Sequence, residues 1–212
     1  DINQMSTEDI IRLTQVHKVD IAIDLAGYTY SNKYQIFNER CAPIQVSYLG
    51  FAGSTGLNNM DYLIADKNVI PDFCRKFYSE KIIYMPNTFM PGDDTHKISK
   101  KNLKRKDFNI PNNAIIYCCF NKSYKITPGI FDIWIDIIKE VENSILWLNI
   151  SNDQTKLNIV NYAQKKGLNS NKIFFTNRSK KYEDYLKKHS LADIFLDTHP
   201  FSAHSTGYAS LI

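Results

Sequence analysis

Short apolar runs rich in β-branched residues recur along the chain and alternate with polar, helix-forming stretches. Val19 to Leu25, Ile44 to Leu49, Tyr62 to Ala65 and Lys81 to Met85 read as buried strands, and Thr7 to His17 and Pro71 to Phe77 as helices. Runs that are continuously apolar, rather than alternating, predict a parallel sheet covered on both faces. The second half repeats the pattern more regularly. Strand Ala114 to Phe120 precedes helix Pro128 to Val141, strand Ser144 to Asn149, helix Thr155 to Lys166, strand Lys172 to Phe175, helix Lys181 to His189 and strand Asp193 to Asp197. Thr127 stands where it can cap the helix that Pro128 opens, and Gly167 where a glycine ends the next one. The fold class is therefore α/β, and the second half reads as half of a doubly wound, Rossmann-like unit. No GxGxxG follows its first strand, so the usual dinucleotide fingerprint is absent.

A polar stretch from Pro86 to Asn113, with Pro91, Gly92 and a run of lysines, interrupts the apolar pattern. It reads as a connection between domains, with a short helix over Lys100 to Phe108. This gives a first domain over residues 1–90, a linker over 91–112 and a second domain over 113–212. The lysine run reads as a solvated linker face rather than a nucleic-acid contact.

Composition narrows the classes. With 212 residues, 43% apolar and 13% aromatic, the chain can bury a substantial core. A net charge of +4 from 26 basic and 22 acidic residues is too mild to predict a specific nucleic-acid partner. No apolar run reaches the length of a membrane span, and the opening DINQMSTED lacks the character of a secretory leader. The four cysteines show no CxxC pair or metal-ligand spacing, and Cys118 and Cys119 are adjacent in one strand. They read as buried free thiols of a reducing, cytoplasmic compartment. The chain lacks an initiator methionine and stops as a helical pattern begins after Gly207, and so reads as part of a longer polypeptide.

The chemistry concentrates at two strand ends. In CCFNKSYKITP, Cys118 to Pro128, a strand runs into a polar turn carrying Lys125, and a helix then opens. A lysine at the carboxyl end of a strand, beside a helix amino terminus, suits a phosphate. DIFLDT leads into HPFSAHSTGY at a second strand end of the same kind, and the pair predicts a diphosphate site. The loop GFAGSTG, Gly50 to Gly56, offers glycines for close backbone approach. Other residues have plainer readings: His199 and the turn glycines Gly53 and Gly56 as structural, Asp197 as an anchor of its own loop, Trp134 and Trp147 as core, His17 as surface.

DLAGYT (Asp24 to Thr29), APIQVSYLGFAGSTG (Ala42 to Gly56), MDYLIAD (Met60 to Asp66), YSEK (Tyr78 to Lys81), CCFNKSYKITP, SILWL (Ser144 to Leu148) and LADIFLDTHPFSAHSTG (Leu191 to Gly207) carry a resemblance. In that collinear order they resemble the catalytic region of protein O-linked N-acetylglucosamine transferases, nearest the bacterial, SPINDLY-like branch. The resemblance implies a GT-B fold, two Rossmann-like domains facing a cleft and both incomplete in this piece. It also implies a metal-independent, cofactor-free enzyme that transfers N-acetylglucosamine from UDP-GlcNAc, with inversion, to Ser or Thr hydroxyls of protein acceptors. Family members carry tetratricopeptide helices ahead of this region, and animal members a large insertion that the short connection here lacks.

Carried over residue by residue, Lys125 matches the lysine that stabilises the leaving diphosphate. His204, Ser205 and Thr206 match the segment that holds the same phosphates. Leu49 and Gly50 match the loop whose backbone lies against the donor sugar, and Lys122 and Tyr124 lie where family residues line the sugar and nucleoside parts of the pocket. Two departures stand out: Ala209 replaces an aspartate that contacts the ribose, and Tyr185 takes the place of a histidine near the nucleoside. The histidine proposed as base in this family lies upstream of Asp1, so no base is assigned and the piece alone is expected to be inactive. Two alternatives stay open: a SPINDLY-like protein O-fucosyltransferase using GDP-fucose, and a non-catalytic nucleotide-binding scaffold.

Overall fold

The computed structural model describes residues 2–29, 32–50, 52–93 and 95–212. The chain divides into two compact units, Asp1–Gly92 and Asp93–Ile212.

In the first unit, β1 (Ile21–Asp24), β2 (Ile44–Ser47), β3 (Tyr62–Ala65) and β4 (Lys81–Tyr84) form a parallel four-stranded sheet in sequence order. Helix α1 (Thr7–Val16) starts at Ser6, whose hydroxyl accepts from the Asp9 amide. It packs with the short α2 (Gln35–Asn38) through Ile10, Ile36, Phe37 and Cys41, against Ala22 of β1. A buried amide holds this corner: Gln45 accepts from the Cys41 N–H at 3.0 Å and donates to the Phe37 and Asn59 carbonyls. Every hydrogen-bonding atom of that side chain is used, as a fully buried amide requires.

The expectation of two covered faces is corrected in this unit. Strands laid down in sequence order by right-handed crossovers keep all their connections on one side. Ile21 and Ile23 of β1 and Leu25 just after it, Ile44 of β2, and Ile83 and Met85 at β4 therefore remain exposed on the other. Pro71–Phe77 also differs: Asp72–Phe77 is a 3₁₀ helix, a short tight turn in place of an α-helix.

In the second unit the parallel order is β7 (Ile173–Thr176), β6 (Ser144–Asn149), β5 (Ile115–Cys119), β8 (Ile194–Phe195). Helices α3 (Pro128–Glu140) and α4 (Asp153–Lys165) cover one face through Trp134, Ile135, Ile138 and Ala163, packed on Tyr117, Cys119, Leu146 and Leu148. Phe108, α5 (Tyr182–His189) and Leu191 cover the other, over Ile116, Cys118, Ile145 and Trp147. Cys118 and Cys119 thus point to opposite faces, each buried as a free thiol.

Residues 93–112 lie within the second unit and are not a free linker. Arg105, in the 3₁₀ helix Arg105–Phe108, donates to the carbonyls of Leu191 and Ala114 and pairs with both oxygens of Asp193 at 2.9 and 3.0 Å. The Asp193 carboxylate also accepts from the Ile116 amide at 2.8 Å, which fastens the segment to β5.

Leu146 is fully buried between the two helices and its neighbouring strands. Leu146→Ala is expected to lower unfolding free energy by about 2–5 kcal/mol, read as a shift in the urea midpoint at unchanged slope.

Candidate functional site

In the second sheet β5 is central, with β6 on one side and β8 on the other. The chain leaves β5 and β8 at the same sheet edge, where the strand order reverses. Such a switch point opens a crevice outside the carboxyl ends of the strands, where open α/β sheets bind ligands. The first sheet, in simple sequence order, has no such reversal among its described strands.

Both exits are tightly built. After β5, buried Asn121 donates to Thr198 Oγ1 at 2.9 Å, joining the two loops at their roots. A 3₁₀ turn, Ser123–Lys125, follows, and Thr127 caps α3 while donating to the His199 carbonyl at 3.1 Å. After β8, one oxygen of Asp197 accepts from the amides of Thr198 at 2.7 Å and Ala203 at 2.6 Å, closing the loop between them. That loop presents its Ser202 carbonyl and Phe201 ring to Lys125. The Nζ donates to Ser202 O at 2.9 Å and sits 3.7 Å from the Phe201 ring centroid, a cation–π contact. Burial lowers the Lys125 pKa, and the Asp197 charge opposes that.

The remaining sequence candidates fall around this point to different degrees. His204 stands at the start of α6 (Ser205–Leu211), its ring 5.8 Å from Phe201. Burial and the nearby Lys125 charge lower its pKa, so the imidazole favours its neutral form. Ser205 and Thr206 form the first turn of α6, with Thr206 near the Tyr185 hydroxyl. Tyr185 lies on α5 among Phe120, Tyr182 and His189, and burial pushes its pKa up to about 12. Tyr124 is 69% exposed with its ring 6.4 Å from Phe201, and Lys122 is exposed at the head of the turn. Lys125 and His204 therefore meet at Phe201, Thr206 and Tyr185 lie farther along at α6 and α5, and Lys122 only flanks the loop pair.

Leu49 and Gly50 belong to the first unit, at the carboxyl edge of its sheet. Leu49 has φ +69°, a left-handed conformation that costs a branched residue about 1–2 kcal/mol. Gly50 is forced: a Cβ there would lie 2.2 Å from the Leu25 carbonyl oxygen. Phe51, in the same glycine loop, lies outside the described residues. Farther along, the loop is bolted down by Glu80. One carboxylate oxygen accepts from the Thr55 amide at 2.6 Å and its hydroxyl at 2.5 Å, and the other from Ser54 Oγ at 2.8 Å. Burial alone would raise the Glu80 pKa, but these bonds outweigh it and hold it below the usual carboxylate value. Tyr78 donates to the Ala52 carbonyl at 3.4 Å, and Tyr28 to that of Thr55.

Sequence reasoning missed Phe201 and Ser202, which act through a ring face and a carbonyl, and Glu80, although it sits inside the YSEK block. It also missed Lys188 and His189. Lys188 is 3% exposed; its ammonium donates to Asn177 O at 2.6 Å, and burial lowers its pKa to about 8. The neighbouring His189 is held neutral, at about 4, by burial and the Lys188 charge. A separate hollow of about 400 Å³, lined by Thr14, Lys18, Arg40 and Pro43, lies at the amino edge of the first sheet, opposite the edge that carries Leu49 and Gly50.

Comparison with known proteins decides the family. The sequence pattern of glycosyl transferase family 41 matches residues 6–104 and 100–212. The chain belongs to glycosyl transferase family 41. Within the family it is 36% identical over 212 residues to the probable UDP-N-acetylglucosamine–peptide N-acetylglucosaminyltransferase SEC of Arabidopsis thaliana, covering 98% of this chain and 22% of that protein. The corresponding SPINDLY protein of Eustoma exaltatum subsp. russellianum is 29% identical over 217 residues, covering all of this chain and 23% of that protein. With the UDP-N-acetylglucosamine–peptide N-acetylglucosaminyltransferase of Caenorhabditis elegans the identity is 25%, and the match takes 300 positions to cover 89% of this chain and 26% of that protein. The animal relative therefore carries extra residues inside the matched region. A solved lysine-to-methionine mutant of the Thermobaculum terrenum O-GlcNAc transferase superposes over the whole chain with a TM-score of 0.87 at 22% identity, across 40% of that structure. That likeness shows the fold, two parallel α/β units of the GT-B glycosyltransferase class. The chain spans about a quarter or less of the curated family 41 relatives it matches.

The family 41 chain carries a pH signature at Lys188. Its folded pKa of about 8 lies below the ordinary 10.5, so the unfolded state binds more protons between those values. Stability contributed here is full above about 10.5 and falls as pH drops through about 8. Unfolding free energies of wild type and Lys188→Met, compared from pH 7 to 10, are expected to converge on the alkaline side and diverge toward neutrality, with the variant relatively more stable at pH 7.

Proposed function

We propose that this chain is part of the catalytic region of an inverting glycosyltransferase that moves N-acetylglucosamine from UDP-GlcNAc to Ser or Thr hydroxyls of cytoplasmic proteins. The observation that carries the proposal is the Lys125 ammonium, held by Ser202 and Phe201 at the switch point between β5 and β8. The names of the SEC and SPINDLY relatives, each a probable UDP-N-acetylglucosamine–peptide N-acetylglucosaminyltransferase, support the donor and acceptor classes.

In the proposed step the acceptor oxygen bonds to the anomeric carbon, and the bond from that carbon to the diphosphate oxygen breaks with its electron pair on UDP. A single displacement inverts the configuration, and the hydroxyl proton leaves to a base outside this chain. Negative charge grows on the departing diphosphate. In this reading Lys125, with the amides and hydroxyls that open α6 at Ser205 and Thr206, meets it as a fixed cation that needs no reorganisation as the bond breaks. Such a cation takes the part a divalent metal would otherwise play, so the reaction is proposed to need neither metal nor cofactor.

In the complete protein, Lys125→Met is expected to lower kcat for peptide glycosylation by about 10²–10³-fold with the melting temperature nearly unchanged, and unaltered turnover would sink the mechanism. Wild-type rates in EDTA are expected to match untreated rates. Preferential turnover of GDP-fucose over UDP-GlcNAc would replace the donor assignment.

A further inference from the structure

We infer that Glu80 is a positioning residue for sugar transfer, fixing the loop from Leu49 to Gly56 whose backbone is offered to the donor sugar. This rests on the proposed function, to which the family resemblance adds that the backbone at Leu49 and Gly50 lies against the donor sugar.

The loop needs fixing. At one end Leu49 is held at positive φ and Gly50 is pressed against Leu25 and Ala26 with no room for a side chain. A non-glycine residue stays in that conformation only where its surroundings over-determine it. At the other end Glu80, 4% exposed, takes three hydrogen bonds from two successive loop residues. Both of those residues pass the restraint on: Ser54 Oγ accepts from the Gly56 amide at 3.1 Å, and Thr55 Oγ1 from the Leu57 amide at 3.3 Å. Ser79 Oγ lies 3.2 Å from the second carboxylate oxygen, so neither oxygen is free. A charged acceptor is suited to this work, since its hydrogen bonds are shorter and stronger than neutral ones. Glutamine keeps the shape but brings an N–H₂ group that cannot accept. Facing Thr55 it would strand that amide; facing Ser54 and Ser79 it would force both hydroxyls to turn round and accept, and either way the charge that strengthens these bonds is gone.

Tyr28 links the consequence back to Gly50. It lies in the loop after β1 that supplies the backing for Gly50, and its hydroxyl reaches the Thr55 carbonyl. The two loops are thus stitched together at Gly50 and again at Thr55. Loosening Thr55 leaves Gly50 as the single remaining stitch among the described residues.

The test uses the complete protein and its Glu80→Gln and Ser54→Ala variants, the second removing one donor without stranding the carboxylate. UDP affinity is measured by calorimetry and transfer from UDP-GlcNAc to a Ser/Thr peptide by kcat/KM. Glu80→Gln is expected to lose at least tenfold in kcat/KM with UDP affinity changed less than twofold, and Ser54→Ala to lose less in the same direction. A residue that only stabilised the fold would lower both quantities together, and that result, or no change in either, overturns the inference. If Glu80→Gln does not fold, the Ser54→Ala comparison decides by the same criterion. Amide hydrogen exchange separates this inference from the functional reading. Wild type without transfer activity refutes the function, whereas Thr55 and Gly56 amides exchanging no faster in Glu80→Gln refute the anchor.

Discussion

Loops at the edges of these sheets hold their shape because carboxylates accept hydrogen bonds from their backbone amides. Asp24 takes the amides of Ala26 and Gly27, Asp66 those of Asn68, Val69 and Phe89, Glu80 that of Thr55, and Asp197 those of Thr198 and Ala203. An N–H group turned inward in an irregular loop has no ladder partner, and leaving it unpaired is costly. Each carboxylate answers that cost and leaves the loop with one conformation. The candidate site depends on this directly. Asp197 closes the loop that carries Phe201 and Ser202, and these two residues fix the Lys125 ammonium.

The two units divide the structural work unequally. Reversal of strand order beside β5 brings two chain exits together, whereas the run β1 to β4 spreads its exits along one edge. A charged site built from two loops is therefore available in the second unit. The first unit instead holds a glycine loop jammed at Gly50 and bolted at Thr55. Its sheet also keeps one apolar face bare, along Ile21, Ile23 and Leu25.

Features coded by neighbouring residues were legible in the sequence. Strands β2, β3, β4 and β6 begin where their apolar runs begin, and Lys125 stands out because strand, turn and helix start follow one another within eleven residues, Cys118 to Pro128. Thr127 could be read as a cap because its partner, Ile130, is three positions away. Features made by distant pairs were not legible. Arg105 looks like one more charge in a polar stretch, and only its pairing with Asp193, 88 residues on, attaches that stretch to the second unit. Glu80 meets Thr55 across 25 residues, and the Ser202 carbonyl carries no sequence signal, since every residue has one. Helix α2 escaped because four residues are too few to show a period.

The cysteines differ sharply in what a reagent could do to them. Burial holds the Cys118 and Cys119 thiols protonated, with pKa values of about 12, and raises that of Cys41. At neutral pH the thiolate fraction at Cys118 and Cys119 is on the order of one in 10⁵, and thiolate is the reactive form. Cys74 alone of the four is partly open to solvent, packed near Tyr78, whose hydroxyl reaches the glycine loop. A maleimide fluorophore would therefore settle on Cys74 without engineering, giving a built-in optical reporter of how that loop moves.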